Sequence, residues 1–430
     1  MTTRAGTPLR RWWAALAMTA ACLSGAACSA ADDVAAAAAA PGVAPAGARV
    51  ATDWARYAAS IIRTKSVLPP HAARAFAYSS LAVARVLGSA AAPTAIDEAA
   101  AVWAGAALLV ATVPDATTLV GAERDRHLAT LGLTAAQATL ARARAEVVAT
   151  PLLAQAAGDG YATSRGAPFT PRADELGWVP TGVLTQPLEP GWGTHHPFAA
   201  DGTGGAAAAE AVATCAAEVG PPALADLDAE ARAVMDADDE ARADQIAYYW
   251  SDAPARTSTP AGHWLELAAQ LADEQGLGPA AGARLLAEVA MAGSDAFIVA
   301  WRLKYDHRLL RPVTYIQRHL DPSWRPRLIT PAFPEYVSGH AAVSGAAAAV
   351  LEAHFGPAFA FVDRSRAGQT VYDSGEDPHL LGAVAYPSLA AAADEAARSR
   401  LYGGIHFPMG NAGGLVAGRC AARLLLAARP

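Results

Sequence analysis

The sequence predicts an all-α protein of stacked helical bundles, interrupted by one long irregular loop. Three observations predict it. Alanine, the strongest intrinsic helix former, dominates the composition. Runs of Val, Ile and Thr alternating at period two, the mark of half-buried strands, are scarce. Segments of helical character follow one another through short links, as stacked bundles require. With 430 residues, 53% apolar and only 17% charged, the chain can bury a sizeable core, and global disorder is disfavoured.

Residues 1–30 read as a signal peptide. Arg10 and Arg11 precede an apolar stretch from Trp12 to about Ala21, and small residues follow. That stretch is too short and too Ala-rich for a membrane span. Two exits are open. Gly25-Ala26-Ala27-Cys28 weakly resembles a lipoprotein processing site, which would anchor the chain to lipid through Cys28; simple cleavage near Ala30 or Ala31 is the other. Either way the expectation is an exported protein, periplasmic or extracellular, with no transmembrane helix after processing. Residues 31–48 are Ala/Pro/Gly-rich and read as a flexible tether.

The rest divides into an N-terminal helical region with the long loop, 49–203, and a C-terminal helical bundle, 204–430. Helices are expected over 53–64, 71–87, 95–113 and 135–150, and later over 205–219, 224–250, 262–274, 278–302, 340–355, 389–401 and 410–428. The stretch 99–113 is apolar almost all round but flanked by Glu98 and Asp115, which suits a buried core helix better than a membrane span. Between 166 and 205, Trp178, Pro180, Pro187, Pro190, Trp192, Pro197 and several glycines forbid regular structure. That loop is either a lid or channel wall or a plain connector.

The net charge is -7, and the leader carries Arg4, Arg10 and Arg11 with no acid, so the processed chain is more acidic still. A nucleic-acid partner is therefore disfavoured, and any anion site must be a local cluster. Of the four cysteines, Cys22 and Cys28 sit in the leader; Cys215 and Cys420 either pair or remain as two buried thiols. No zinc-type spacing exists.

Three segments of the last third concentrate the polar groups. In Lys304-Tyr-Asp-His-Arg-Leu-Leu-Arg311-Pro312, two cations lie about two helical turns apart and can share a face, while Pro312 pushes Arg311 out of the helical region. In Phe333-Pro-Glu-Tyr-Val-Ser338-Gly339-His340, Ser338 falls at the N-cap of a strong helix, whose free amides attract an oxyanion. His340 in its first turn can act as acid or base. In Arg400-Leu-Tyr-Gly403-Gly404-Ile-His406-Phe-Pro408, the paired glycines break one helix and let Arg400 and His406 come together. Each segment alone is bland: solvated basic residues, a Ser cap, a helix corner. Together they supply three permanent cations, a helix N-terminus and two imidazoles, an inventory suited to a small oxyanion.

In order and spacing these segments resemble the three-part signature of the superfamily of vanadium-dependent haloperoxidases and type-2 phosphatidic acid phosphatases, over roughly residues 280–425. The resemblance implies vanadate as cofactor, with His406 as its axial ligand, or as nucleophile in a phosphatase, which needs no cofactor. It implies that Lys304, Arg311 and Arg400, with Ser338 and the amide of Gly339, hold equatorial oxygens, and that His340 is the acid/base partner. An aromatic at Phe333 resembles the haloperoxidase arm, where it lines the halide pocket. The implied reaction is halide oxidation by hydrogen peroxide to hypohalous acid, on small-molecule substrates. The alternative is an exported acid phosphatase; a third reading is a non-catalytic anion-binding lipoprotein. Two positions depart from the family: Val337 stands where Pro usually precedes the Ser, and Gly410 where an Asp often follows the axial His and orients it. Asn411 and Asp295 are the candidates for that orienting role.

Overall fold

The structure is a computed structural model that describes residues 49–90, 92–182, 185–200, 206–237, 242–371 and 379–428. The leader, the tether and Cys28 lie outside the described residues. The N-terminal part comprises α1 (Val50–Thr64), α2 (Pro69–Gly88), α3 (Ala95–Thr112), α4 (Thr117–Thr130), α5 (Ala135–Gly158) and the single turn α6 (Tyr161–Ser164). After the irregular stretch come α7 (Ala206–Val219), α8 (Leu227–Asp236), α9 (Ala243–Tyr249), α10 (Thr259–Glu274), α11 (Pro279–His307), α12 (Pro312–His319), α13 (Gly339–Phe355), α14 (Leu389–Tyr402) and α15 (Pro408–Ala427). The strands are two short antiparallel pairs, β1 (Phe361–Asp363) on β4 (Val384–Tyr386) and β2 (Thr370–Val371) on β3 (His379–Leu380). The all-α expectation holds.

Helix α11 runs through the middle of the molecule, packed by α2, α10, α13 and α15. One continuous apolar cluster includes Trp54, Phe76, Trp264, Trp301, Val343 and Leu425. Burial of this much apolar surface dominates stability, at about 25 cal/mol per Å². The apolar helix α3 packs between α2 and α5 and is largely buried, as its charged flanks suggested. Helices α13 and α15 approach closely: a Cβ at Gly418 would overlap the carbonyl oxygen of Ala342, and one at Gly345 would sit 2.7 Å from that of Leu415. This contact brings together the helix starts that follow Ser338 and His406.

Two helix boundaries differ from expectation. Helix α5 does not stop before Pro151 but continues to Gly158, because Leu152 and Ala156 extend the buried stripe of Ala141, Ala145 and Ala149 while the proline ring faces solvent. The stretch expected as one helix over 224–250 is two, α8 and α9; Arg242 is left-handed (φ 69°) and restarts the chain after the acidic run that begins at Asp236.

The irregular loop wraps α11. Trp178 and Trp192 are buried, and Gly193 lies so close to α11 that an added Cβ would fall 2.5 Å from the Arg302 backbone. Trp192 stacks on His71 at 4.9 Å, tying the loop to α2. The Leu188 amide donates to Ala332 O (2.8 Å), and its carbonyl accepts from Tyr305 Oη at 2.5 Å. The loop thus reaches the turn that carries Phe333. Cys215 and Cys420 form a disulfide between α7 and α15.

Candidate active site

Lys304, in the last turn of α11, is fully buried, and its ammonium donates to the carbonyls of Pro334 and Glu335, both at 2.9 Å. The shared helical face expected for Lys304 and Arg311 is not how they meet. Helix α11 ends at His307 with Arg308 left-handed (φ 49°), and Arg311 is extended before Pro312 opens α12. The chain turns back instead, and both cations close on the 333–335 segment. Arg311 Nε donates to Phe333 O (2.8 Å) and Nη1 to Ile405 O (2.7 Å). The Phe333 ring lies 4.9 Å from Lys304 Nζ and 4.8 Å from Arg311 Cζ, so its face supports both charges.

Ser338 caps α13 as expected, accepting from the Ala341 amide at 3.3 Å, and its own amide donates to Gly410 O (2.8 Å). A Cβ at Gly339 would crowd the rings of Phe297 and Trp301 at 3.1 and 3.3 Å, so a side chain here would have to push them aside. Arg400, in the last turn of α14, is buried, with Nε 3.1 Å from Ser399 Oγ and Nη2 3.3 Å from Ala247 O. Gly403 and Gly404 (φ 71°) then turn the chain so that His406 arrives beside Arg311. His340 Nε2 stands 3.4 Å from Arg400 Nη1 and 3.9 Å from Asp252 Oδ2.

The sequence-derived set therefore converges. Arg311 Nη1 is 3.1 Å from His406 Nε2. Burial, then Arg311, Lys304 and Arg400, push the His406 imidazole well below its ordinary pKa, so it is neutral. Burial and Arg400 lower His340 likewise, against the pull of Asp252. Burial brings the guanidinium groups of Arg311 and Arg400 down to about 10, against Glu335 and Asp252 respectively.

Sequence reasoning missed two carboxylates. The orienting partner of His406 is neither Asp295 nor Asn411. Asp295 is spent on the long loop, accepting the amides of Phe198 (2.8 Å) and Ala199 (2.9 Å), and no contact joins Asn411 to the imidazole. Glu335 takes the role: its Oε1 lies 2.7 Å from His406 Nδ1. With Nδ1–H donating there and Arg311 donating to Nε2, Nε2 carries the lone pair. The second is Asp252, in the loop after α9. It meets Arg366 Nη2 at 2.9 Å and His263 Nδ1 at 3.1 Å, and His263 Nε2 meets Asp363 at 3.2 Å. Burial works to raise the Asp252 carboxyl, but His263 and Arg366 outweigh it and hold it low; His263 is raised by Asp252 against the cost of burial.

These residues fit an oxyanion. Arg311 Nη2 is buried without a hydrogen-bond partner, beside an imidazole lone pair and two further cations. Among the described residues no cluster of His, Cys, Asp and Glu could instead hold a metal cation.

Comparison with known proteins agrees. The family model for the second helical-bundle domain of vanadium chloroperoxidase matches residues 284–428, which hold the segments from Lys304 to His406 but not Asp252 or His263. No curated protein sequence matches the chain. Among solved structures, the chain is similar to a bacterial vanadium-dependent iodoperoxidase, with 28% identity, a TM-score of 0.73, and coverage of 90% of this chain and 97% of that one. It shares its fold with a bacterial vanadium-dependent chloroperoxidase in holo form (15% identity, TM-score 0.55, 90% and 95% covered) and in apo form (14%, 0.56, 85% and 94%). A likeness that extends over 90% of the chain, joined to a family match over the segments that hold the buried cations, supports an enzyme of the vanadium haloperoxidase superfamily.

Proposed function

We propose that the chain is a vanadate-dependent haloperoxidase that oxidises halide with hydrogen peroxide. The observation that carries this reading is the gathering of Arg311, Lys304 and Arg400 around the His406 imidazole, whose Nε2 lone pair faces Arg311 Nη1, with Arg311 Nη2 still unpaired. Lys304, Arg311 and Arg400, with Ser338 and the Gly339 amide, would hold the oxygens of vanadate, and His406 Nε2 would bond its central atom. Bound vanadate supplies a Lewis-acidic centre that activates peroxide towards halide attack.

The protein's own groups do the rest. The cations stabilise negative charge at positions fixed before the reaction, so no reorganisation is needed. Neutral His340, within reach of Arg400, takes or returns the peroxide proton at Nε2. The Phe333 ring, its face turned to two cations, would offer a polarisable halide an apolar contact at its positive edge. The loop at Leu188 packs on α11 beside this segment, Tyr305 Oη donating to the Leu188 carbonyl. Similarity to an iodoperoxidase supports the haloperoxidase reading over phosphate-ester hydrolysis. Export through the leader is part of the proposal, and the Cys215–Cys420 disulfide, a bond that persists in oxidising compartments, supports it.

The test is the purified protein stripped of anions and assayed with and without vanadate. Iodide and bromide oxidation by peroxide, dependent on added vanadate, is expected. Aryl-phosphate hydrolysis that vanadate inhibits, without halide oxidation, would replace the proposal with a phosphatase; silence in both assays would make the site a binding site only.

A further inference from the structure

We propose that Glu335 and Gly410 form a reciprocal pair: the missing side chain at 410 makes room for the Glu335 carboxylate, which sets the tautomer and aim of His406. Glu335 is then a positioning residue, acting on the bound anion only through the imidazole. The inference rests on His406 as the ligand of that anion.

Three observations carry it. A Cβ built on Gly410 would overlap Glu335 Oε1 and stand 2.9 Å from its carboxyl carbon. Alanine at 410 therefore cannot coexist with the carboxylate where it lies. Second, the carboxylate is locked. Oε1 receives His406 Nδ1 at 2.7 Å and the Phe407 amide at 3.1 Å, the Glu335 amide donates to Leu309 O (2.9 Å), and the side chain is wholly buried. Third, Gly410 is itself fixed, because its carbonyl accepts the Ser338 amide at 2.8 Å. The backbone at 410 cannot retreat without pulling on the N-cap that also serves the anion.

The geometry explains a choice of position. Position 410 lies four residues beyond His406, one turn along the start of α15, so its side-chain direction and the Glu335 carboxylate compete for one space. A carboxylate can come from either side of that space but not from both. Here it comes from 335, and position 410 is bare. An imidazole whose Nδ1–H is held by a carboxylate has its Nε2 lone pair fixed on the ligand, which strengthens it as a donor.

The experiment reads binding and tautomer without peroxide or halide. Orthovanadate affinity is measured by calorimetry on the anion-free protein, and the His406 tautomer by ¹⁵N NMR of histidine-labelled protein, assigned against His406→Ala. Glu335→Ala is expected to lose 10- to 100-fold in vanadate affinity, on the order found for such partners, and to shift His406 towards the Nε2–H tautomer. Glu335→Gln, which keeps the shape and cannot unfold the site by leaving a void, should lose affinity in the same direction. Glu335→Ala combined with Gly410→Asp should recover the Nδ1–H tautomer and most of the affinity. Wild-type affinity and tautomer in Glu335→Gln, or a folded double variant with neither recovered, would overturn the proposal. Should the wild-type protein bind no vanadate, the functional reading fails, while the tautomer measurements still decide this one.

Discussion

The buried network behind His340 offers a quantitative test. Asp252→Asn replaces a carboxylate by an amide of equal size in a place where Arg366 and His263 both depend on it, at 2.9 and 3.1 Å, and all three side chains are at most 1% exposed. Removing one partner of a buried pair costs about 3–5 kcal/mol, because the remaining charge stays buried. Two cations share Asp252, so the upper end of that range is expected; Glu266 and Asp363 still answer Arg366 and His263 and keep the loss from exceeding it. The pH dependence has a definite sign. Asp252 is held below its ordinary value, so its contribution is present above about pH 4 and is lost as acid protonates it in the folded state. His263 is raised, so its contribution is present below about pH 6.5 and is lost as pH climbs through its folded pKa. The stability difference between wild type and variant should therefore be greatest between those limits and shrink on both sides. Denaturant unfolding from pH 3 to 9 measures this. An unchanged midpoint for Asp252→Asn at pH 6, or a difference between wild type and variant that grows steadily through pH 8, would refute the reasoning.

Two further perturbations act where α15 meets its neighbours, α7 and α13. Cys215 and Cys420 are 205 residues apart, so loop closure gives their bond a ceiling of roughly 5 kcal/mol, and Cys215→Ala with Cys420→Ala should lower the unfolding midpoint markedly, whereas an unchanged midpoint would deny the bond a structural role. Gly418→Ala should cost about 1–3 kcal/mol or more by forcing α13 off α15, and should weaken vanadate binding with it, since the added methyl overlaps the Ala342 carbonyl. Gly88→Ala, at the end of α2 with open space around it, is the control and should leave both thermal midpoint and binding within experimental scatter.

What the sequence disclosed, and what it hid, follows from the range of the forces involved. Lys304, Arg311, Ser338, His340, Arg400 and His406 were legible because each sits in a short segment whose breaks and caps are local: Pro312 after Arg311, Ser338 before its helix, Gly403 and Gly404 between Arg400 and His406. Their meeting was inferred from chemistry, yet the way Lys304 and Arg311 meet was not legible, because Arg308 ends α11 in a left-handed turn that no residue type announces. Glu335 was in view between Phe333 and Tyr336, but its role needs a second fact 75 positions on, the absent side chain at Gly410. Asp252 carries no local motif, and only the fold brings it to Arg366 and His263. Helix α4 buries a single residue, Val120, so it has no apolar stripe by which to be found.

The site residues lie at helix ends, and that placement governs how the cations are tolerated. Lys304 and Arg400 occupy last turns, where the helix dipole favours positive charge, and Ser338 opens α13, where it favours negative charge. Apart from Arg311 Nη2, which has no partner, and Nη1, which also faces His406 Nε2, the donors of the three cations meet neutral oxygens: carbonyls of Phe333, Pro334, Glu335, Ala247 and Ile405, and the Ser399 hydroxyl. Carbonyl dipoles lower the cost of burying a cation without cancelling its charge. Carboxylates in those places would have made the site neutral in itself and poor at holding an anion. The nearby acids are committed elsewhere, Asp252 to Arg366 and His263, and Glu335 to the imidazole of His406 and the Phe407 amide. The fold thus keeps a positive surplus beside the lone pair of His406 Nε2, the arrangement that the proposed oxyanion would answer.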